Sequence, residues 1–170
     1  LGLALALLAT QMQAPPEEEP TWSREQLAAE QAIRTSRFEV AADHLDAMAE
    51  AGGPPAEIAR SRELASDKIS LKFTQLVQDD DLYEAADLLG LASRFAMPPE
   101  TIEQLRRQAL DRSSERARHL LEGKEYRKAE TFLAAVREAF GDDPRLDEFD
   151  LWAGGLCTAR FQGRPPGATI

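Results

Sequence analysis

The sequence predicts an all-α fold: a right-handed α-solenoid of antiparallel helix hairpins, about seven helices in all, with an apolar leader before it and a β-like stub after it. Three observations predict this. Apolar residues recur at a fixed step of 44 residues, from Phe38, Ala41, Leu45 and Met48 to Leu82, Ala85, Leu89 and Ala92, and on to Tyr126, Ala129, Leu133 and Val136. The punctuation keeps the same step, because Pro54 and Pro55 become Pro98 and Pro99, and Ile58, Ile102 and Leu146 open the segment after each break. A period in this range marks stacked supersecondary units that bury their apolar faces on one another. The composition agrees, being 43% apolar, only 6% aromatic and rich in Ala, Leu, Glu and Arg, most of them strong helix formers.

A chain of 170 residues with this apolar content can bury one core or one short solenoid, not several independent domains. Its formal charge of -10 disfavours nucleic acid, whose phosphates repel an acidic surface. The single cysteine, Cys157, excludes an internal disulfide framework, so packing alone must hold the fold. In a helical pattern that residue reads as a small buried hydrophobe rather than a nucleophile.

Residues 1–14 open with an uncharged apolar run. The run fits the later part of a signal-peptide core, with Ala14 as the small residue before a cleavage point. It also fits the end of a transmembrane helix, for which about 20 apolar residues are needed. Either reading places the remainder outside the cytoplasm, in the periplasm or cell envelope, with the membrane touched only through this leader or anchor. Residues 15–22 form a linker, since Pro15, Pro16 and Pro20 lack amide donors and Glu17, Glu18 and Glu19 repel one another.

The helical body is expected over residues 23–157. Ser23, with Gln26 three residues on, has capping-box spacing, and Trp22 stands where a hydrophobic staple would, so a first helix is expected from Ser23 to about Thr35. The next starts near Arg37 and places Phe38, Ala41, Leu45 and Met48 on one face. Gly52 and Gly53 end it, and Pro55 is a first-turn proline whose missing amide costs nothing. From there the pattern runs unbroken to Gln78 through Ile58, Ala65, Ile69, Phe73 and Leu76. Asp79, Asp80 and Asp81 make a polar turn before the short helix at Leu82, which closes between Phe95 and Pro99. A second long helix runs from Pro99 to Leu121 through Ile102, Leu105, Ala109, Ala117 and Leu120, with a polar middle. Gly123 and Lys124 turn the chain, Tyr126 opens the third short helix, and Asp143 with Pro144 caps a last one carrying Leu146, Phe149, Trp152 and Ala153.

Ala41, Ala85 and Ala129 give each unit a small residue at one place, where two helices approach closely, while Phe38, Leu82 and Tyr126 are expected to fill the space beside them. The run Gly123, Lys124, Glu125, Tyr126, Arg127, Lys128, Ala129, continuing to Leu133 and Val136 and ending at Asp143 and Pro144, resembles the turn and second helix of a tetratricopeptide repeat. Leu82, Ala85, Leu89 and Ala92 match the same positions, as do Phe38, Ala41, Leu45 and Met48. The family's usual period is about 34 residues. The longer first helices here account for the difference, and they lack its Trp and Gly-Tyr pattern. The resemblance spans the body from Ser23 to Leu156 and implies a protein-binding scaffold. Residues 158–170 read as a linker or β start, and Pro165, Pro166, Gly167, Ala168, Thr169 and Ile170 are similar to the opening of the PEGA domain, a small extracytoplasmic β module.

No catalytic, cofactor-binding or metal-binding residue is expected. His44 and His119 occupy non-equivalent places in different units and have no Cys or His at metal spacing. Asp79, Asp80 and Asp81, and the group Asp142, Asp143, Asp147, Glu148 and Asp150, lack the alternating spacing and central glycine of a calcium loop, and helix amino termini account for such charges. Arg60, Arg62, Arg106, Arg107, Arg116 and Arg118 are available for carboxylate ligands, although the solvated side of a long amphipathic helix carries such residues too. The expected function is a non-enzymatic, monomeric extracytoplasmic scaffold that binds another protein or spaces domains. The alternative is a regulatory ectodomain of a larger membrane or secreted enzyme, such as a kinase or a formylglycine-generating-type enzyme, with its catalytic part outside this chain.

Overall fold

A computed structural model describes residues 20–153, and every regular element among them is helical. Seven α-helices follow one another: α1 (Thr21–Arg34), α2 (Phe38–Glu50), α3 (Pro55–Gln78), α4 (Leu82–Ala92), α5 (Pro99–Glu122), α6 (Tyr126–Phe140) and α7 (Asp147–Ala153). Short 3-10 turns at Ser93–Phe95 and Pro144–Leu146 follow α4 and precede α7. None of the described helices is long and apolar enough to cross a membrane. The expected leader, Cys157 and the β-like stub lie outside the described residues.

The helix ends are built by one repeated piece of backbone chemistry. After α1, the amide of Ser36 donates to the carbonyl of Ile33 and that of Arg37 to Ala32. After α3 the same two bonds run from Asp80 to Val77 and from Asp81 to Leu76, and after α5 from Lys124 to Leu121 and from Glu125 to Leu120. Each set satisfies carbonyls that a helix end leaves without partners, and it requires a left-handed residue just past the cap. Ser36, Asp80 and Lys124 take that role with φ of 57°, 62° and 60°. All three stand 44 residues apart.

A second series of ends obeys the same rule. Gly52 (φ 74°) follows α2, and Ala96 (φ 56°) follows the 3-10 turn after α4. Gly53 then donates to Met48, and Met97 donates to Ala92. The side chains at these paired positions are exchanged in size. A Cβ on Gly53 would lie 2.8 Å from Met48 Cγ, so the large residue sits inside the helix in the first case and beyond it, as buried Met97, in the second. Pro55 and Pro99 occupy the first helical turn of α3 and α5, as their fixed φ allows.

The amino terminus departs from the expected capping box. Helix α1 opens at Thr21 behind Pro20, and no side chain caps it. Ser23 already lies in the first turn, donating its amide to the Pro20 carbonyl, while Gln26 reaches outward to Glu30 and Glu57. Extended Pro20 (φ -54°, ψ 137°) leads directly into the turn, so the helix starts before the serine can act.

Packing joins α1 to α2, α3 to α4, and α5 to α6, while α3 also touches α1, α2 and α5, and α4 touches α6. One continuous core results. Ala41, Ala85 and Ala129 are each fully buried in it, as the small-residue rule requires. Phe38 meets Phe95 edge to face at 6.5 Å, and Phe73 meets Phe140 the same way at 6.3 Å, contacts that lock non-adjacent helices together.

Two side chains differ from expectation. Tyr126 is 42% exposed where Phe38 and Leu82 are buried, because no further short helix covers it among the described residues. In α4 Leu82, Ala85 and Ala92 are buried as expected, but Leu88 is the fourth buried residue and Leu89 is only partly covered, so the core-facing stripe takes in Leu88 in place of Leu89.

Candidate functional site

The largest predominantly apolar concavity lies beside the first half of α3. Its volume is about 670 Å³, and its floor and one wall are formed by Ile58, Phe95, Met97 and Pro98. Ala59, Arg62, Glu63, Ser66, Asp67 and Ser70 of α3 form the other wall. The left-handed turn at Ala96 swings the chain back towards α3 and carries Met97 and Pro98 across the groove's end. The concavity is therefore a direct product of the helix-end chemistry.

The α3 wall carries an ordered polar row. Ser66 Oγ donates to the Arg62 carbonyl, Ser70 Oγ to Ser66, and Thr74 Oγ1 to Ser70, each at 2.9 Å. A hydroxyl that spends its proton on the preceding turn retains lone pairs that can accept. Beside the row, Glu63 and Asp67 are exposed and make no ion pair among the described residues. Arg62 is differently placed. Its Nη2 lies 3.6 Å from Asp46 Oδ1, but Asp46 is already held by Arg94 at 2.7 Å, and Arg94 also grips Asp43 at 2.8 Å. Those two carboxylates raise the Arg94 pKa above its ordinary value, Asp46 contributing most. Arg62 Nε is buried and has no acceptor.

The remaining arginines do not assemble into one carboxylate-binding face. Arg106 donates through Nε and Nη2 to the Phe140 carbonyl at 2.8 and 2.5 Å, satisfying the end of α6. Arg107 pairs with Glu103 at 3.4 Å, Arg116 with Asp80 at 3.2 Å, and Arg118 lies over the Phe149 ring at 5.8 Å. Arg60 is exposed, in an adjoining polar groove with Gln26, Glu30 and Glu57, and Glu63 and Asp67 line both this groove and the apolar one. Most of this set is thus spent on holding helices together.

The histidines and acidic groups have local explanations as well. His44 Nδ1 lies 2.7 Å from Glu25 Oε2, joining α2 to α1, and exposed His119 stands 4.0 Å from Glu122. Asp143 accepts from the Arg145 side chain and amide, which together hold its carboxyl down at about 2. Asp142 and Asp147 pair with Arg137 at 3.3 and 3.2 Å. Tyr83 donates to Glu138 at 2.8 Å, tying α4 to α6, and that bond pushes the phenol pKa up. No group of three metal-ligating side chains comes together among the described residues.

Sequence reasoning placed the arginines but missed the groove. Its only signal is the i, i+4 spacing of Ser66, Ser70 and Thr74 on a helix whose opposite face is apolar. No protein-family profile, curated protein or solved structure matches this chain.

Proposed function

We propose that the chain is a non-enzymatic scaffold, a tetratricopeptide-like solenoid of helix hairpins that binds a segment of another protein in the groove beside α3. The observation that carries this reading is the groove itself, about 670 Å³ with an apolar floor and a polar wall, a shape that buries an extended or helical segment. Its stacked architecture is supported by the identical turn hydrogen bonds at 44-residue steps and by the fully buried Ala41, Ala85 and Ala129. Further support comes from the grooves between first helices. Ascending residues of α1 (Gln26, Glu30, Arg34) share one with ascending residues of α3 (Glu57, Arg60, Leu64), as they would in parallel neighbours of a stack.

Residues 1–14 and the Pro- and Glu-rich composition of residues 15–20 support an extracytoplasmic location, with the module, which begins at Thr21, held away from a membrane by a stiff spacer. The test is a photoreactive side chain introduced at Ala59 in the groove wall, with a control at Glu122 on the far end of α5. A defined protein adduct from Ala59 and none from Glu122 is the expected outcome. Equal adducts from both positions, or turnover of a substrate by the purified chain, would dismiss the reading.

A further inference from the structure

Resting on the groove as a protein-binding site, the geometry points to its occupant: a segment of a partner protein that presents apolar side chains together with lysine or arginine, not an acidic or neutral one. The charges around the groove decide this. Arg62 and Arg94 face Asp43 and Asp46, two cations against two anions in one cluster, and they cancel. Glu63 and Asp67 make no ion pair among the described residues, and the neighbouring groove that they also line holds Arg60 and Arg34 but with them Glu30 and Glu57, so the α3 wall is left net negative. An incoming ammonium or guanidinium placed between apolar surface and these carboxylates is held by charge-assisted hydrogen bonds.

The neutral polar groups point the same way. Ser66 and Ser70 spend their protons on helix carbonyls, so towards the groove they offer lone pairs, and their complement is a donor. A partner carboxylate would meet two carboxylates and two acceptors against the one unpaired donor of Arg62, its buried Nε. The row of Ile58, Phe95, Met97 and Pro98 opposite supplies the apolar half of recognition, which a purely basic segment would leave unfilled. The overall charge of -10 adds steering, drawing a basic segment towards the surface before it docks.

The experiment is calorimetric titration of the purified chain with three blocked peptides that share the same alternating leucine and phenylalanine positions and carry lysine and arginine, glutamine, or glutamate between them. The basic peptide is expected to bind about tenfold or more tighter than the glutamine peptide, and to weaken steeply as salt shortens the screening length. The glutamate peptide is expected not to bind. The double variant Glu63→Gln, Asp67→Asn is expected to bring the basic peptide down to the glutamine peptide, with an unchanged circular dichroism spectrum and melting temperature. Ala59 is exposed, so Ala59→Trp is expected to fold and to block every peptide by filling the wall.

Equal binding of basic and glutamine peptides that Ala59→Trp abolishes would overturn the charge assignment and leave the groove reading standing. Binding that Ala59→Trp does not disturb would overturn both, as would no binding of any peptide.

Discussion

Helices α3 and α5 are the same element twice, and they differ where it matters. Both are 24 residues long, both begin with proline in the first turn behind an extended proline, and both end in the same pair of hydrogen bonds. Residues 44 apart keep their buried roles at Ile58 and Ile102 (the latter partly covered), Ala65 and Ala109, Leu76 and Leu120, and Val77 and Leu121. The middles diverge. Where α3 buries Ile69 and Phe73, α5 buries Ser113 and Ala117, and where α3 turns Ser66 towards a groove, α5 buries Leu110. Ends are set by local backbone chemistry and so repeat, whereas middles are set by whichever neighbour each helix meets. Phe73 meets Phe140 of α6 edge to face, a contact that the alanine at 117 cannot make. Beside α3 the groove is lined by Ser66, at the step where α5 buries Leu110.

The largest effect expected from this comparison lies at its centre. Phe73→Ala removes a fully buried ring and its edge-to-face contact, and such truncations cost about 3–5 kcal/mol. The equivalent change in α5, Ala117→Gly, removes one methyl and helix propensity, about 1 kcal/mol. Urea denaturation of both variants measures the ratio. Equal losses would mean that the bulk in α3 is not what fastens it to α6, and the contrast between the two helices would fall.

A gain is expected at the other diverging position. Ser113 is 1% exposed and its hydroxyl has no partner, in a place where α3 has isoleucine. An unpaired buried polar group costs about 1–3 kcal/mol. Ser113→Ala should therefore raise stability by about 1 kcal/mol with no change in denaturant sensitivity, since the surface exposed on unfolding is the same. A loss of stability would show that the hydroxyl is paired in solution and that α5 is as well satisfied as α3.

How much of this could be read from sequence follows the same division. Pro55, Pro99, Gly52 and the 44-residue step are local signals, and they gave the ends of α3 and the starts of α2, α4, α5 and α6 from residue type alone. The alanines at 41, 85 and 129 were legible because close approach admits only a small residue at each. Tyr126, Leu88 and Ser23 were not. Exposure of Tyr126 and the choice of Leu88 over Leu89 depend on which neighbours the folded helices meet, and the idleness of Ser23 on how Pro20 enters the helix. The arginines were visible as residues, but their partners Asp80, Phe140, Phe149 and Asp46 come from other elements or from tertiary folding. The groove needed both a wall from α3 and a floor from Phe95, Met97 and Pro98, which no single stretch announces.

The smallest expected effect separates the two ends that look most alike. Both helices finish on a left-handed residue, Asp80 after α3 and Lys124 after α5, with φ of 62° and 60°. A side chain in that region costs about 1–2 kcal/mol, less for aspartate, whose short polar group bonds locally. Glycine removes the strain and returns part of the gain as entropy of the unfolded chain. Lys124→Gly should accordingly stabilise by about 0.5–1 kcal/mol, a shift of a few degrees in melting temperature for a protein of this size. Asp80→Gly should gain less or nothing, because it also removes the 3.2 Å pair with Arg116, itself an exposed and therefore weak interaction. If the aspartate site gained more than the lysine site, the ion pair would be worth nothing and aspartate no better tolerated than lysine. The two turns would then be equivalent in energy as well as in geometry.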